Sequence, residues 1–186
     1  MNKYLRGFCC AFIGTTKALI LKLERQSAVS IIFPALISPR TEVSVDKGGV
    51  LSIGKRISMR NGCRLTVRNS GKLSIGKNFY MNTGCSISAH ESITIGDNVE
   101  FGPGVLVYDQ DHDFLAEGGL VAKKFKTSPV YIGNNVWIGA NTIILRGSSI
   151  GDNCVISAGC IIKGHYPKNS LVIQKRETTV KNIFEP

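Results

Sequence analysis

The sequence predicts an all-β solenoid of triangular cross-section, and three observations carry that expectation. Isoleucine stands at every sixth position from Ile132 through Ile138, Ile144, Ile150 and Ile156 to Ile162. Neither the 3.6-residue period of a helix nor the two-residue alternation of an ordinary strand returns one residue type at that interval. The same frame recurs upstream from Ile53, Ile75 and Ile95 as IGKRIS, IGKNFY and IGDNVE. A small residue fills the fifth position of most hexads, where a corner side chain has to fit inside the coil. A coil of three short faces, each turning one aliphatic side chain to a common axis, accounts for all three.

The elements follow in chain order. Residues 1–45 do not keep the hexad beat and are expected to form an amphipathic helical and extended segment. Apolar residues recur from Tyr4 to Leu23 with Lys3, Arg6, Lys17, Lys22 and Arg25 among them. The longest uncharged run, Gly7 to Thr16, is too short to span a bilayer, and no cleavage pattern marks a signal peptide. With Phe8, Phe12 and Ile13 on one side, such a helix suits two roles, a cap across the open end of the solenoid or peripheral contact of 1–25 with an anionic membrane surface. Pro34 and Pro39 punctuate an extended approach to the first coil. The solenoid domain is expected over 46–167, in five coils beginning near Ile53, Ile75, Ile95, Ile132 and Ile150. An excursion over 113–131 interrupts it, and a loop of that length in a compact domain points to function. A C-terminal tail over 168–186 completes the chain.

Coils stack at roughly 4.8 Å, so each buries its apolar face only against its neighbours. With 186 residues, 43% of them hydrophobic, the chain can fill one core. Its 23 Lys and Arg against 13 Asp and Glu leave a formal charge of +10, which favours anionic partners. Nucleic acid is not expected, because the basic residues are spread along the chain without an aromatic platform or a reading motif.

Of six cysteines, Cys63, Cys85, Cys154 and Cys160 all fall at the fifth hexad position. They read as small buried hydrophobes rather than as disulfides or zinc ligands. Reduced thiols fit a cytoplasmic setting, with the inner face of the membrane as the candidate peripheral site.

The repeats, the excursion after a histidine, and the segments "NFYMN", "IGDNVEFGPGV" and "VWIGANTIILRGSSIGDNCVISAGCIIKG" together resemble the hexapeptide-repeat acyltransferases, nearest to the galactoside, maltose and polysaccharide O-acetyltransferases. The resemblance covers roughly 50–167. It implies a left-handed parallel β-helix, a homotrimer with active sites between subunits, and acetyl-CoA as acyl donor with no metal required. The implied activity is O-acetylation of a sugar hydroxyl, in a bacterial surface polysaccharide or its lipid-linked precursor, by direct transfer.

Carried over position by position, His112 in "YDQDHDF" takes the place of the catalytic base. A sugar hydroxyl is a poor nucleophile at neutral pH, and an imidazole can take its proton as attack begins. One of Asp109, Asp111 and Asp113 is expected to hold that imidazole. Asn82 in "NFYMN" corresponds to the asparagine contacting the acceptor or the histidine. The sugar-specific enzymes carry acidic residues seven to eight positions further on, whereas this chain has Ala89 and His90. That departure, with the positive charge, tilts the acceptor toward an acidic or unusual glycan, with His90, Asp109 and Asp111 as acceptor contacts beside Asn82.

Small residues mark the donor site. Ala140 and Ala158 lie one 18-residue coil apart, with Gly139 and Ser157 beside them, and leave a shallow slot suited to a pantetheine arm. The resemblance places coenzyme A there, with the Ala140 N–H as oxyanion donor and Trp137 near the cofactor; Lys163, Lys175, Arg176 and Lys181 are candidate cations for its phosphates, and of these Lys181 aligns with a basic residue of the family's tail. The alternatives are a transferase of another acyl donor or acceptor, and a metal protein like the γ-class carbonic anhydrases drawing on His90, His112 and His165.

Overall fold

The computed structural model describes residues 3–25 and 28–181. Helix α1 (Lys3–Arg25) precedes the strands. The first coil is β1 (Val29–Ile31), β2 (Ala35–Ile37) and β3 (Glu42–Val45), and the second is β4 (Val50–Ile53), β5 (Ile57–Met59) and β6 (Arg64–Val67). The third is β7 (Lys72–Ile75), β8 (Tyr80–Met81) and β9 (Ser86–Ala89), and the fourth is β10 (Ser92–Ile95), β11 (Glu100–Phe101) and β12 (Leu106–Tyr108). There the chain leaves the prism for a ribbon, β13 (Gln110–His112) and β14 (Phe125–Thr127). It returns as β15 (Val130–Ile132), β16 (Trp137–Ile138) and β17 (Ile143–Ile144), then β18 (Ser149–Ile150), β19 (Val155–Ile156) and β20 (Ile161–Ile162), and ends on β21 (His165–Tyr166) and β22 (Leu171–Val172).

Every third strand pairs in parallel, which gives two seven-stranded faces and one six-stranded face. Six complete coils and two strands of a seventh form the all-parallel, three-sided solenoid, consistent with the left-handed β-helix that the resemblance implies. The predicted isoleucines are buried and register one above another, Ile132 on Ile150 and Ile138 on Ile156. Cys63, Cys85, Cys154 and Cys160 are free and buried at the corners, as their hexad position requires. Cys63 and Cys85 occupy adjacent coils, and each thiol meets a backbone carbonyl, Cys63 Sγ that of Asn82 at 2.9 Å and Cys85 Sγ that of Gly102 at 3.1 Å.

The solenoid starts earlier than residue 46. Residues 29–45 form a full coil whose β1 pairs with β4, Val29 beside Leu51. Early coils are longer than 18 residues, so the strict six-residue beat dissolves before the fold does. Past residue 167, β22 still pairs with β19, Leu171 beside Val155.

One corner repeats an asparagine. Asn78, Asn98, Asn135, Asn153 and Asn169 all adopt left-handed backbone, φ between 55° and 64°. Their amides join into a vertical ladder at 2.6, 2.9, 3.1 and 3.1 Å. Asparagine tolerates this conformation better than other side chains, and each amide bonds to the coil above.

Helix α1 lies over the first coil, against β1 and β2. Gly14 sets the approach, since a Cβ there would stand 2.8 Å from the Ala35 carbonyl oxygen. Ala18 is buried beside it, and Lys17 Nζ donates to the carbonyls of Pro39 and Thr41 at 2.8 and 2.7 Å. The capping role is thus realised, while Phe8, Phe12 and Leu23 face outward. Among the described residues no helix is long and apolar enough to cross a membrane. At the other end, the Gln174 amide accepts from the Ile161 N–H at 2.8 Å and donates to the Ile161 carbonyl at 2.7 Å, in the place of a strand beside β20.

Candidate functional site

Two corners of the prism hold the residues singled out by sequence, and the third face separates them. At the corner leaving the second face, Asn82, Gly102, Gly139 and Ser157 stack, with Ala140 and Ala158 next to the last two. The backbones approach so closely here that a Cβ on Gly139 would press into the Ala158 nitrogen. Ala140 is half-buried and Ala158 exposed, so both lie at the surface rather than in the core, at the corner where the sequence places the donor furrow. Asn82 turns its Oδ1 to the Thr83 N–H at 2.8 Å.

At the corner leaving the third face stand His90, Asp109, Asp111 and His112. A six-residue face at ~3.3 Å per residue puts this corner about 20 Å from the furrow within one protomer. Trp137 is 57% exposed on the second face at the start of β16. Lys163 lies just past β20, at the histidine's corner rather than at the furrow, and Lys181 is exposed in the tail.

His112 does not close a coil as the hexad frame suggests. It lies in the ribbon, opposite Phe125 in the antiparallel register, and the excursion already begins at Gln110. The frame fails because Asp109 turns fully inward instead of continuing the strand. Its Oδ1 accepts from the His90 N–H and its Oδ2 from the N–H groups of Glu91 and Ser92, all at 2.8 Å. The expectation that one of the three aspartates orients the imidazole is therefore not met within the protomer. Asp109 secures the neighbouring corner, Asp111 pairs with Arg146 Nε at 2.6 Å, and Asp113 pairs with Lys126 at 3.2 Å.

The ring that flanks the imidazole is Phe125. Its centroid lies 4.6 Å from that of His112 and 4.6 Å from that of His90, so one phenyl group bridges two histidines. Burial pushes His90 below its ordinary 6.5, and Asp109 opposes the shift. Beside this trio a groove of about 330 Å³ opens along the third face, lined by β6, β9, β12 and Phe125. The Oε1 of Gln110 is buried there without a hydrogen-bond partner. Sequence reasoning did not find Phe125, Gln110 or Arg146. The mirrored apolar and polar pattern of QDH against FKT across a glycine-containing loop is the hairpin signal that could have located Phe125.

Residues 129–164 match the family described as bacterial transferase hexapeptide (six repeats). The chain repeats a six-residue unit along this segment. Its repeats are similar to those of the galactoside O-acetyltransferase of Escherichia coli K12, at 39% identity over 82 residues, 42% of this chain and 38% of that protein. Over a longer span the hexapeptide-repeat chain is similar to the putative lipopolysaccharide biosynthesis O-acetyl transferase WbbJ of the same organism, at 24% identity, 88% of this chain and 84% of that protein. Among solved structures, a mutant of AntD, an N-acyltransferase from Bacillus cereus in complex with dTDP and coenzyme A, shares the fold with a TM-score of 0.67 and 23% identity, covering 89% of each chain. The chain spans less than half the length of the galactoside enzyme and of a putative acetyltransferase from Schizosaccharomyces pombe, 38% and 44% respectively.

Proposed function

We propose that this hexapeptide-repeat chain is an acetyl-CoA-dependent O-acetyltransferase acting on a sugar hydroxyl of a surface glycan or its precursor. The single observation that carries the reading is the ribbon, which holds His112 exposed at one corner of a prism whose opposite corner presents the Ala140 and Ala158 furrow. The acetyltransferase names of the matched relatives and the coenzyme A in the AntD complexes agree with an acyl-CoA donor.

The furrow fits a pantetheine arm because its side chains are no larger than methyl and hydroxymethyl groups and its walls are backbone. The thioester supplies an activated acyl group there. His112 takes the proton of the acceptor hydroxyl as that oxygen attacks the acyl carbon, and returns it to the departing thiol. The Ala140 N–H meets the negative charge that develops on the acyl oxygen. Since about 20 Å separates the two corners in one chain, His112 of one protomer works with the furrow of another, which calls for an oligomer, a trimer on the family pattern. Asn82 sits on the furrow side of that junction. The outward apolar side of α1, with Phe8, Phe12 and Leu23, would rest on an anionic membrane carrying lipid-linked acceptors, a contact that co-sedimentation with anionic vesicles tests.

The test is to incubate the protein with acetyl-CoA and a panel of free, activated and lipid-linked sugars and to measure thiol release. His112→Ala should abolish transfer and leave the oligomer intact. Retained turnover in that variant removes His112 from the chemistry.

A further inference from the structure

The groove on the third face carries more information than its position beside His112. Arg68, His90 and Gln110 form its row nearest the ribbon, at matching positions past β6, β9 and β12. Phe125 stands over His90 and continues to His112. Further along lie Ser88 and Tyr108, and at the far end Arg64. Arg64 opens β6 and Arg68 lies just past its end, four residues on and on the order of 13 Å away, the reach of one to two sugar rings.

Each arginine is steadied by a carboxylate from the first coil, Arg64 Nε by Glu42 at 2.9 Å and Arg68 Nη1 by Asp46 at 3.3 Å. These pairs are solvent-exposed and single-contact, so they orient the guanidinium groups without using up their donors. The buried Gln110 Oε1 asks for the opposite partner, since a carbonyl oxygen out of water needs a donor such as a ligand hydroxyl. Cation, unsatisfied acceptor, hydroxyls and an aromatic wall in one open groove match a hydroxylated ring that bears a negative charge.

We propose that this groove binds the acceptor, and that the acceptor is an anionic saccharide whose carboxylate or phosphate meets Arg68 while a ring hydroxyl donates to Gln110 Oε1. The ring then lies against Phe125 with a further hydroxyl toward His112. This assignment rests on the transferase reading for the word acceptor, but the binding chemistry stands on the groove itself.

The experiment measures binding of glucuronic acid, glucose 6-phosphate and methyl glucoside to the full chain by ligand-observed NMR titration, for the unaltered protein, Arg68→Gln, Arg68→Lys and Gln110→Leu. At least one of the two acidic sugars is expected to bind ~10-fold or more tightly than the neutral one, and the tighter acid identifies the charged group. Arg68→Gln should bring the acidic sugars to the neutral level, and Arg68→Lys should recover part of the difference. Gln110→Leu should weaken all three sugars together, because the hydroxyl contact is common to them. Equal affinity for the three sugars, or acidic preference unchanged in Arg68→Gln, overturns the proposal. Acidic preference without acyl transfer to any sugar upholds this site and sinks the transferase reading. Transfer to neutral sugars with unchanged kcat/KM in Arg68→Gln does the reverse.

Discussion

His112 and Phe125 face each other across the antiparallel ribbon, with ring centroids 4.6 Å apart and planes inclined by 38°. The pairing fixes an otherwise exposed imidazole from one side only. If His112 is the base, the phenyl ring is what holds it in line. Phe125→Ala is therefore expected to lower kcat by about 3- to 10-fold, the range an aromatic pair of ~0.5–1.5 kcal/mol supports, with Phe125→Tyr close to the parent. Steady-state kinetics with saturating acetyl-CoA decides it, and unchanged turnover in Phe125→Ala refutes the positioning role.

Separation of the two corners predicts complementation. His112→Ala and Ala158→Trp protomers should each be inactive alone, the first without a base and the second with its furrow filled. Mixed and reassembled, they should regain a substantial part of the parent activity, because some junctions then combine an intact histidine with an intact furrow. Mixtures as inactive as their components would place the whole site in one chain.

Asp109 is the keystone of its corner, with three backbone N–H groups on one buried carboxylate. Removing it strands those donors. Asp109→Ala is expected to cost about 3–4 kcal/mol, read from urea denaturation midpoints, and to loosen the ribbon's root. A loss below about 1 kcal/mol would show that water replaces the carboxylate freely.

His90 links pH to stability. Its folded imidazole titrates below 6.5 because burial disfavours the charged form, while the unfolded chain titrates at the ordinary value. Between those two values the unfolded chain binds more protons, so this contribution is intact above pH 6.5 and is lost as the pH falls through that window. His90→Gln should flatten the fall in melting temperature between pH 7 and about pH 5. An identical slope in the variant contradicts the assignment.

At Asn135 the backbone is left-handed, φ 55°, and the amide joins Asn98 to Asn153. Asn135→Ala should destabilise by about 1–2 kcal/mol through strain and the interrupted ladder, whereas Asn135→Gly, which adopts that backbone freely, should lose less. Thermal melts of the pair separate the two contributions, and equal losses would assign the effect to the amide alone.

The repeating part of the fold was legible because its cause is local. Ile132 to Ile162 each answer the same demand for one aliphatic side chain per face, and the corner cysteines answer a demand for volume. The coil over 29–45 escaped because its strands are bound by pairing with β4, β5 and β6, which no hexad beat announces. His112 was singled out through the family pattern, but its surroundings were not legible. Asp109 sits one residue before the ribbon, and only the path of the chain shows that its carboxylate turns inward to the corner instead of outward to the imidazole. Phe125 lies 13 positions beyond His112, so their meeting depends on how the excursion folds back.

Parallel coils offer a free backbone edge at each end, and such an edge can recruit another copy of itself. On the third face the last strand, β20, meets two atoms of the Gln174 side chain where another strand would bind. That side chain occupies both hydrogen-bonding groups of Ile161 that a further strand would use. Without it, the Ile161 N–H and carbonyl would be bare, and this face would end on an edge open to a strand from a second copy.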